Sequence, residues 1–293
     1  MIDFNKKISE FGAAVNEFLK NNLPKGSITA DSMRYSIFAG GKRIRPAICL
    51  AFCELFSRDH FERNMQKALP FAAALESIHT YSLMYDDLPC MDNDTLRRGM
   101  PTNHVRFGED ITLMAGVALY GEAFGFIVSS PLLSDSEKLE GIRVLLDASG
   151  IKGIVTGQVL DIENKQDLTE EELRNIQNLK TGAMLKASAL LGCIAANATE
   201  KEREKAVAYA ENIGLAFQMR DDILDVQGDV NSLGKSIGKD KESKKVTFVD
   251  VLGIEKTQKE IERLTKKAKD AVSDAENCEF LIMLADALSK RNH

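Results

Sequence analysis

The chain has 293 residues, 44% hydrophobic and 28% charged, with no Trp and 6 Pro, a usage that excludes a disordered or fibrous protein. A formal charge of -6 and a pI near 5.4 argue against nucleic acid as a main partner, since a phosphate backbone demands a basic stripe. All six prolines, at 24, 46, 70, 89, 101 and 131, precede the midpoint, and the proline-free remainder favours packed helices because a proline inside a helix costs about 3 kcal/mol.

The N-terminus, MIDFNKKISE, has no basic flank leading into an apolar core and cleavage site, so no signal peptide is read and a cytoplasmic location is expected. Phe4, Ile8, Phe11, Val15 and Leu19 form the stripe of a first helix that stops by Asn21-Asn22-Leu23-Pro24. A second helix is predicted from about Asp31 to Phe38, and a third after Gly40-Gly41 with Pro46 in its first turn. Cys49 and Cys53 share a face of that third helix and read as core residues. With Cys at 49, 53, 90, 193 and 278 and no CxxC pair, neither disulfides nor zinc are expected. Further helices are predicted from Pro70 to Asp87, Ile111 to Val128 and about Glu137 to Ser149. The stretch from Ile111 to Val128 is interrupted by Glu122 and glycines at 116, 121 and 125, which makes it a core helix and not a membrane span. Thr169 and Glu172 form a capping box that opens a helix running to about Ala198. Lys201 to Val226 continues the pattern, a polar loop follows from Gly228 to Lys245, and two helices close the chain. With no internal repeat or linker, residues 1–293 are expected to form one all-α domain of long helices.

Two acidic clusters stand out, DDLPCMDND over residues 86–94 and DDILD over 221–225. Asp221 and Asp225 are four apart, so their carboxylates project from one helix face and repel. Asp86 and Asp92 are six apart and would diverge by about 120° on a continuous helix; Pro89 ends that helix and lets Asp92 swing back. Upstream, Glu76, His79 and Asp86 lie on one stripe. An EF-hand does not fit, because the glycine and terminal Glu are missing at the required offsets. Hard oxygen ligands at the ends of two apolar helices suit magnesium, with manganese as the alternative, completed by substrate phosphates. Lys42, Arg45, Arg97, Arg98, Lys180 and Lys235 supply the matching positive charge. The bland alternatives are a solvated acidic face at 221–225 and an Asp-Arg surface network at 86–98.

The motifs GGKRIRP, HTYSLMYDDLPCMDNDTLRRGMPT, GQVLD, KTGAML and FQMRDDILDVQGD stand in the order and separation of one family. Across most of its length the chain resembles the short-chain trans-prenyltransferases, and within them the bacterial farnesyl diphosphate synthases (geranyltranstransferases). It departs at Gly116-Val117-Ala118-Leu119, where the family commonly has Asp at the second position. The resemblance implies an all-α bundle around a central prenyl-diphosphate cavity, a homodimer, and magnesium held by Asp86, Asp92 and Asp221 with Asp87, Asp222 and Asp225 as auxiliary groups. It implies an isopentenyl diphosphate clamp of Gly41, Lys42, Arg45, His79 and Arg98, and allylic-side charge from Arg97, Lys180 and Lys235. Thr181, Gln218 and the Lys180 carbonyl would face the allylic cation, and Phe and Met side chains would wall a dry pocket. Tyr81, five before Asp86, would be the floor that limits the product to fifteen carbons, beside a Ser82 too small to do so. Geranylgeranyl or geranyl diphosphate synthase, a terpene cyclase and a silent partner subunit are the competing readings; a cyclase would lack the second acidic motif and the isopentenyl clamp, and a silent subunit would have lost acidic residues.

Overall fold

A computed structural model describes residues 2–58, 60–163, 167–227 and 245–291. Asp3 and Ser27 accept hydrogen bonds from the backbone N–H groups of Lys6 and Ala30 and so cap α1 (Phe4–Asn22) and α2 (Ile28–Ile37). Pro46 lies in the first turn of α3 (Ile44–Phe56), as its sequence position predicts. The next helix, α4 (Phe61–Asp86), starts well before Pro70 and carries that proline inside. Met65, Ala68 and Leu69 give its upstream turns their own apolar stripe against the core, which outweighs the one backbone hydrogen bond the proline ring removes.

A two-residue hairpin follows, β1 (Leu96–Arg97) paired antiparallel with β2 (Met100–Pro101), then α5 (Asn103–Phe107) and α6 (Glu109–Val128). Capping boxes at Ser134/Glu137 and Thr169/Glu172 open α7 (Asp135–Ser149) and α9 (Glu170–Gln177), the second as read from the sequence. Between them α8 (Ile154–Glu163) occupies a stretch where the sequence predicts no helix. Its Gly157 is buried while Val155, Val159 and Ile162 are exposed, so no buried apolar stripe marks it. The single helix expected from Thr169 to Ala198 is instead α9, a π-helical turn over Asn178–Gly182, and α10 (Ala183–Ala195). The chain continues as α11 (Glu200–Gln227), and among the described residues after it there are three helices where two are expected: α12 (Phe248–Leu252), α13 (Ile254–Val272) and α14 (Glu279–Ser289). All but the last residue of the loop expected from Gly228 to Lys245 lies outside the described residues.

The main core joins α3, α4, α6 and α10. At the α3–α10 crossing a Cβ on Gly192 would lie 2.2 Å from the Cys49 carbonyl oxygen, so only glycine permits that approach. Cys49, Cys53 and Cys193 are free and buried there. A second core forms where Ala216, Met219 and Ile223 of α11 meet Phe248, Ile261 and Leu264. Helix α6 is long and apolar enough to cross a membrane, yet Leu119, Ala123 and Ile127 are buried in the core. Its other face leaves Met114, Val117 and Val128 exposed.

Candidate active site

The first acidic cluster begins where α4 ends. Asp86 is the last residue of the helix and Asp87 its cap; the backbone N–H of Asp92 then donates to the Asp86 carbonyl at 2.8 Å. The chain therefore curls back as the proline predicts. Burial pushes the Asp86 carboxyl up from 3.8 to about 6, with Asp92 and Asp87 adding to the rise and Lys180 and Arg97 opposing it. Gln158 of α8 donates to Asp86 Oδ1 at 3.0 Å.

Asp87 is buried and held by Arg97, whose Nε lies 2.7 and 2.9 Å from its two carboxylate oxygens. Arg97 also reaches Asp94 at 3.6 Å. The sequence reading makes Asp87 an auxiliary group of the metal site and Arg97 a source of charge for the allylic diphosphate; here the two pair with each other.

Opposite this cluster stand the basic groups of GGKRIRP and LRRG. Lys42 is exposed. Arg45 is partly buried with its Nε lacking any partner, and burial lowers its pKa against the counter-effect of Glu76. His79 is driven well below its ordinary value by burial and then by Arg45, Arg98, Arg97 and Arg43, so its imidazole is neutral at physiological pH. Arg98, in the left-handed region with φ 54, donates to the Gly40 carbonyl. Gly41, at φ 118, lets the Arg98 guanidinium approach, since a Cβ there would come within 2.7 Å of it. A carboxylate, Glu76, lies close enough to this clamp to act on both Arg45 and Arg98. Arg43, which the sequence reading passed over, pairs with Glu76 at 2.7 Å in a nearly dry setting and also bonds Asn16 and the Ile37 carbonyl.

The π-helical turn presents Lys180 and Thr181 to the other side. Gly157 of α8 packs so tightly on it that a Cβ would sit 2.3 Å from the Lys180 nitrogen; such turns recur at functional sites. Lys180 Nζ donates to Asp161 Oδ2 at 2.7 Å, as does Lys245 at 2.8 Å, and the two ammonium groups outweigh burial to hold Asp161 below its usual value. Thr181 donates to Gln218 Oε1 at 3.1 Å. Gln158 and Asp161, three apart in GQVLD, thereby connect the first acidic cluster to the π turn, and Gln218 leads on to the second cluster.

On α11, Asp221 lies against Arg291, whose guanidinium also sits 3.9 Å from the centre of the Phe217 ring. Asp222 is buried and accepts from the Phe248 N–H at 2.7 Å, tying α11 to α12. Asp225 is exposed one turn on. Lys235 lies outside the described residues. Among the described residues no three His, Cys, Asp or Glu side chains converge tightly enough to cage a metal ion. The paired charges at Asp86 and Asp92 fit an ion whose remaining ligands come from water and substrate.

Tyr81 lies between Tyr85 and Tyr120, with ring centroids 4.7 and 5.3 Å away, and Phe124 extends the row 5.2 Å beyond Tyr120. Burial raises the Tyr81 pKa, followed by Tyr85, Tyr120 and Asp86. Ser82 donates to the His79 carbonyl.

The Polyprenyl synthetase family model matches residues 27–283. The chain belongs to the polyprenyl synthetase family. A geranylgeranyl diphosphate synthase from Cyanophora paradoxa is 44% identical over 285 residues, covering 95% of this chain and 93% of that protein. Among solved structures, an FPP/GFPP synthase from Zymomonas mobilis superposes with a TM-score of 0.85 at 32% identity, covering 96% of this chain and 97% of the other. A putative farnesyl-diphosphate synthase from Marinomonas gives 0.84 at 32% identity, covering 99% and 100%. This polyprenyl synthetase is therefore a prenyltransferase of the all-α isoprenoid synthase fold. The farnesyl product read from the motifs is not fixed by these likenesses, since the Cyanophora relative is named for a longer chain.

Proposed function

We propose that the protein condenses isopentenyl diphosphate with dimethylallyl and then geranyl diphosphate to form farnesyl diphosphate. The observation that supports this best is the separation of two partly buried clusters of opposite charge. Burial lowers Arg45 and, together with the surrounding arginines, His79, while burial and acidic neighbours raise Asp86. A cationic pocket that gains from an anion, close to carboxylates that gain from a cation, suits one diphosphate held without metal and another held through it.

In this reading Lys42, Arg45, Arg98 and neutral His79 hold isopentenyl diphosphate, which must not ionise. Asp86, Asp92 and Asp221 would hold magnesium or manganese, with Asp225 auxiliary, and the bound ion would supply charge neutralisation to the leaving diphosphate. Asp87 and Asp222 act through Arg97 and the Phe248 N–H that they hold. Lys180, fixed by Asp161, and Lys235 add positive charge to the allylic side. Thr181 and Gln218 turn oxygen dipoles toward the allylic carbon without offering a strong nucleophile. The test is diphosphate release, which should need magnesium and both substrates together; release from the allylic substrate alone would indicate a cyclase.

The fifteen-carbon limit rests on Tyr81, whose ring is backed by Tyr120 and Phe124 and so cannot swing aside without displacing a row of aromatics. The second reading, a twenty-carbon product, is favoured by the name of the 44% identical relative. A symmetric homodimer is proposed on the exposed Met114 and Val117 of α6, an apolar face that a partner copy would cover.

A further inference from the structure

The hairpin that carries Arg97 and Arg98 has no buried residue of its own: Leu96, Met100 and Pro101 are all exposed. Beneath it, between α2 and α4, lies a cavity of about 30 Å³ lined by Tyr35, Ser36, Thr80, Arg97 and Arg98 among others. Apolar packing therefore does not hold the hairpin in place, and polar ties must do so.

Arg97 ties the hairpin to Asp87 at the end of α4, and the ties to α2 run mostly through one amide. Asn103, the first residue of α5 and only 2% exposed, hydrogen-bonds through both its oxygen and its nitrogen. Its Oδ1 accepts from Ser32 Oγ at 2.7 Å and lies 2.8 Å from Thr112 Oγ1 of α6. Its Nδ2 donates to the Ser32 carbonyl at 2.9 Å and to Ser36 Oγ at 2.7 Å. Because the Ser32 carbonyl can only accept, the orientation of the amide is fixed. The neighbouring residue, Thr102, bonds the Asp94 and Thr95 carbonyls across the base of the hairpin, and Tyr35 of α2 donates to the Pro101 carbonyl at 2.8 Å. From its other end α2 leads into Gly40, whose carbonyl receives Arg98, and on to Gly41 and Lys42.

We propose that Asn103 is a positioning residue for the diphosphate pocket that does not ionise its substrate, an inference that rests on the prenyltransferase reading above. It locks the Arg98 hairpin and the Gly40–Lys42 loop to α2, so that the cations from two separate loops keep the spacing of one diphosphate. Asn103 touches no substrate itself. A buried amide hydrogen-bonded at both ends is costly to disturb, because each partner it releases stays buried and unpaired.

Steady-state kinetics on purified Asn103→Ala and Tyr35→Phe test this, with both substrates varied. Asn103→Ala should raise the isopentenyl diphosphate KM by about ten-fold or more while the allylic KM stays within about two-fold, and Tyr35→Phe, which cuts one exposed tie, should shift the same constant by about three-fold. Equal rises in both constants, or a lower melting temperature with both constants unchanged, would assign Asn103 a merely structural role and overturn the proposal. Should Asn103→Ala fail to fold, Tyr35→Phe and Ser36→Ala decide in its place, and an unaltered isopentenyl KM in both overturns it equally. Calorimetry with inorganic diphosphate and no metal separates this from the reaction itself. Weaker binding by the variants is expected even if wild-type protein proved to catalyse no condensation, whereas unchanged binding, or none by the wild type, contradicts the role.

Discussion

Replacing Asp86 with Asn should stabilise the metal-free protein while abolishing its reaction. The folded protein lifts this carboxyl from 3.8 to about 6, chiefly by burial and then through Asp92 and Asp87. A raised carboxyl favours the protonated form, so the stability it contributes is present below the unfolded value of about 3.9 and is lost as pH rises through 6. The full shift corresponds to about 3 kcal/mol, and partial solvent access reduces it to roughly 1 to 2 kcal/mol. Asn keeps the Gln158 hydrogen bond, since its carbonyl oxygen can accept in place of Oδ1. For a chain of this size the melting temperature should rise by about 2 to 3 °C at pH 8 in EDTA, and the gain should vanish by about pH 4. Differential scanning calorimetry across pH 4 to 8 reads this directly, alongside a turnover that falls by orders of magnitude. A variant less stable than wild type at pH 8, or a gain independent of pH, would refute the electrostatic account of this carboxylate.

Tyr81→Ala should lengthen the product to twenty carbons or more, measured by chromatography of the dephosphorylated alcohols; an active variant still making fifteen carbons would move the limit elsewhere. Arg45→Ala should chiefly weaken isopentenyl diphosphate binding and Lys235→Ala the allylic side, each by roughly 1.5 to 3 kcal/mol in kcat/KM for the substrate concerned. Gly157→Ala should push a methyl into the Lys180 backbone, lowering stability by about 1 to 3 kcal/mol and turnover with it; unchanged unfolding and activity would show that α8 does not brace the π turn. Light scattering at micromolar concentration should return a dimer that Val117→Arg dissociates, and a wild-type monomer would rule out the interface proposed on α6.

The helices were legible wherever one face is apolar and the ends carry caps, as in α1 and at the Thr169 box. Helix α8 escaped notice because its exposed Val155, Val159 and Ile162 leave no one-sided stripe. The π turn escaped because one extra residue per turn barely alters local apolar spacing, although GQVLD held the clue in a glycine placed beside Gln158 and Asp161. At the site, Pro89 correctly foretold the return of Asp92 to Asp86. What spacing could not reveal is which charges pair across the fold. Arg43 and Glu76, 33 positions apart, and Asp222 with the Phe248 N–H, 26 apart, are joined only by tertiary packing. Arg291 gave no local signal at all, since the Lys290-Arg291 pair reads as ordinary surface charge after an apolar helix.

Incubating the wild-type protein with magnesium, dimethylallyl diphosphate and labelled isopentenyl diphosphate, then separating the dephosphorylated products by chain length, tests the account most directly. The aromatic floor at Tyr81 predicts label in a fifteen-carbon alcohol as the end product, formed by way of ten carbons and only with both substrates present. A twenty-carbon end product would contradict the floor while leaving the condensation intact, and no labelled prenyl product would contradict the condensation itself.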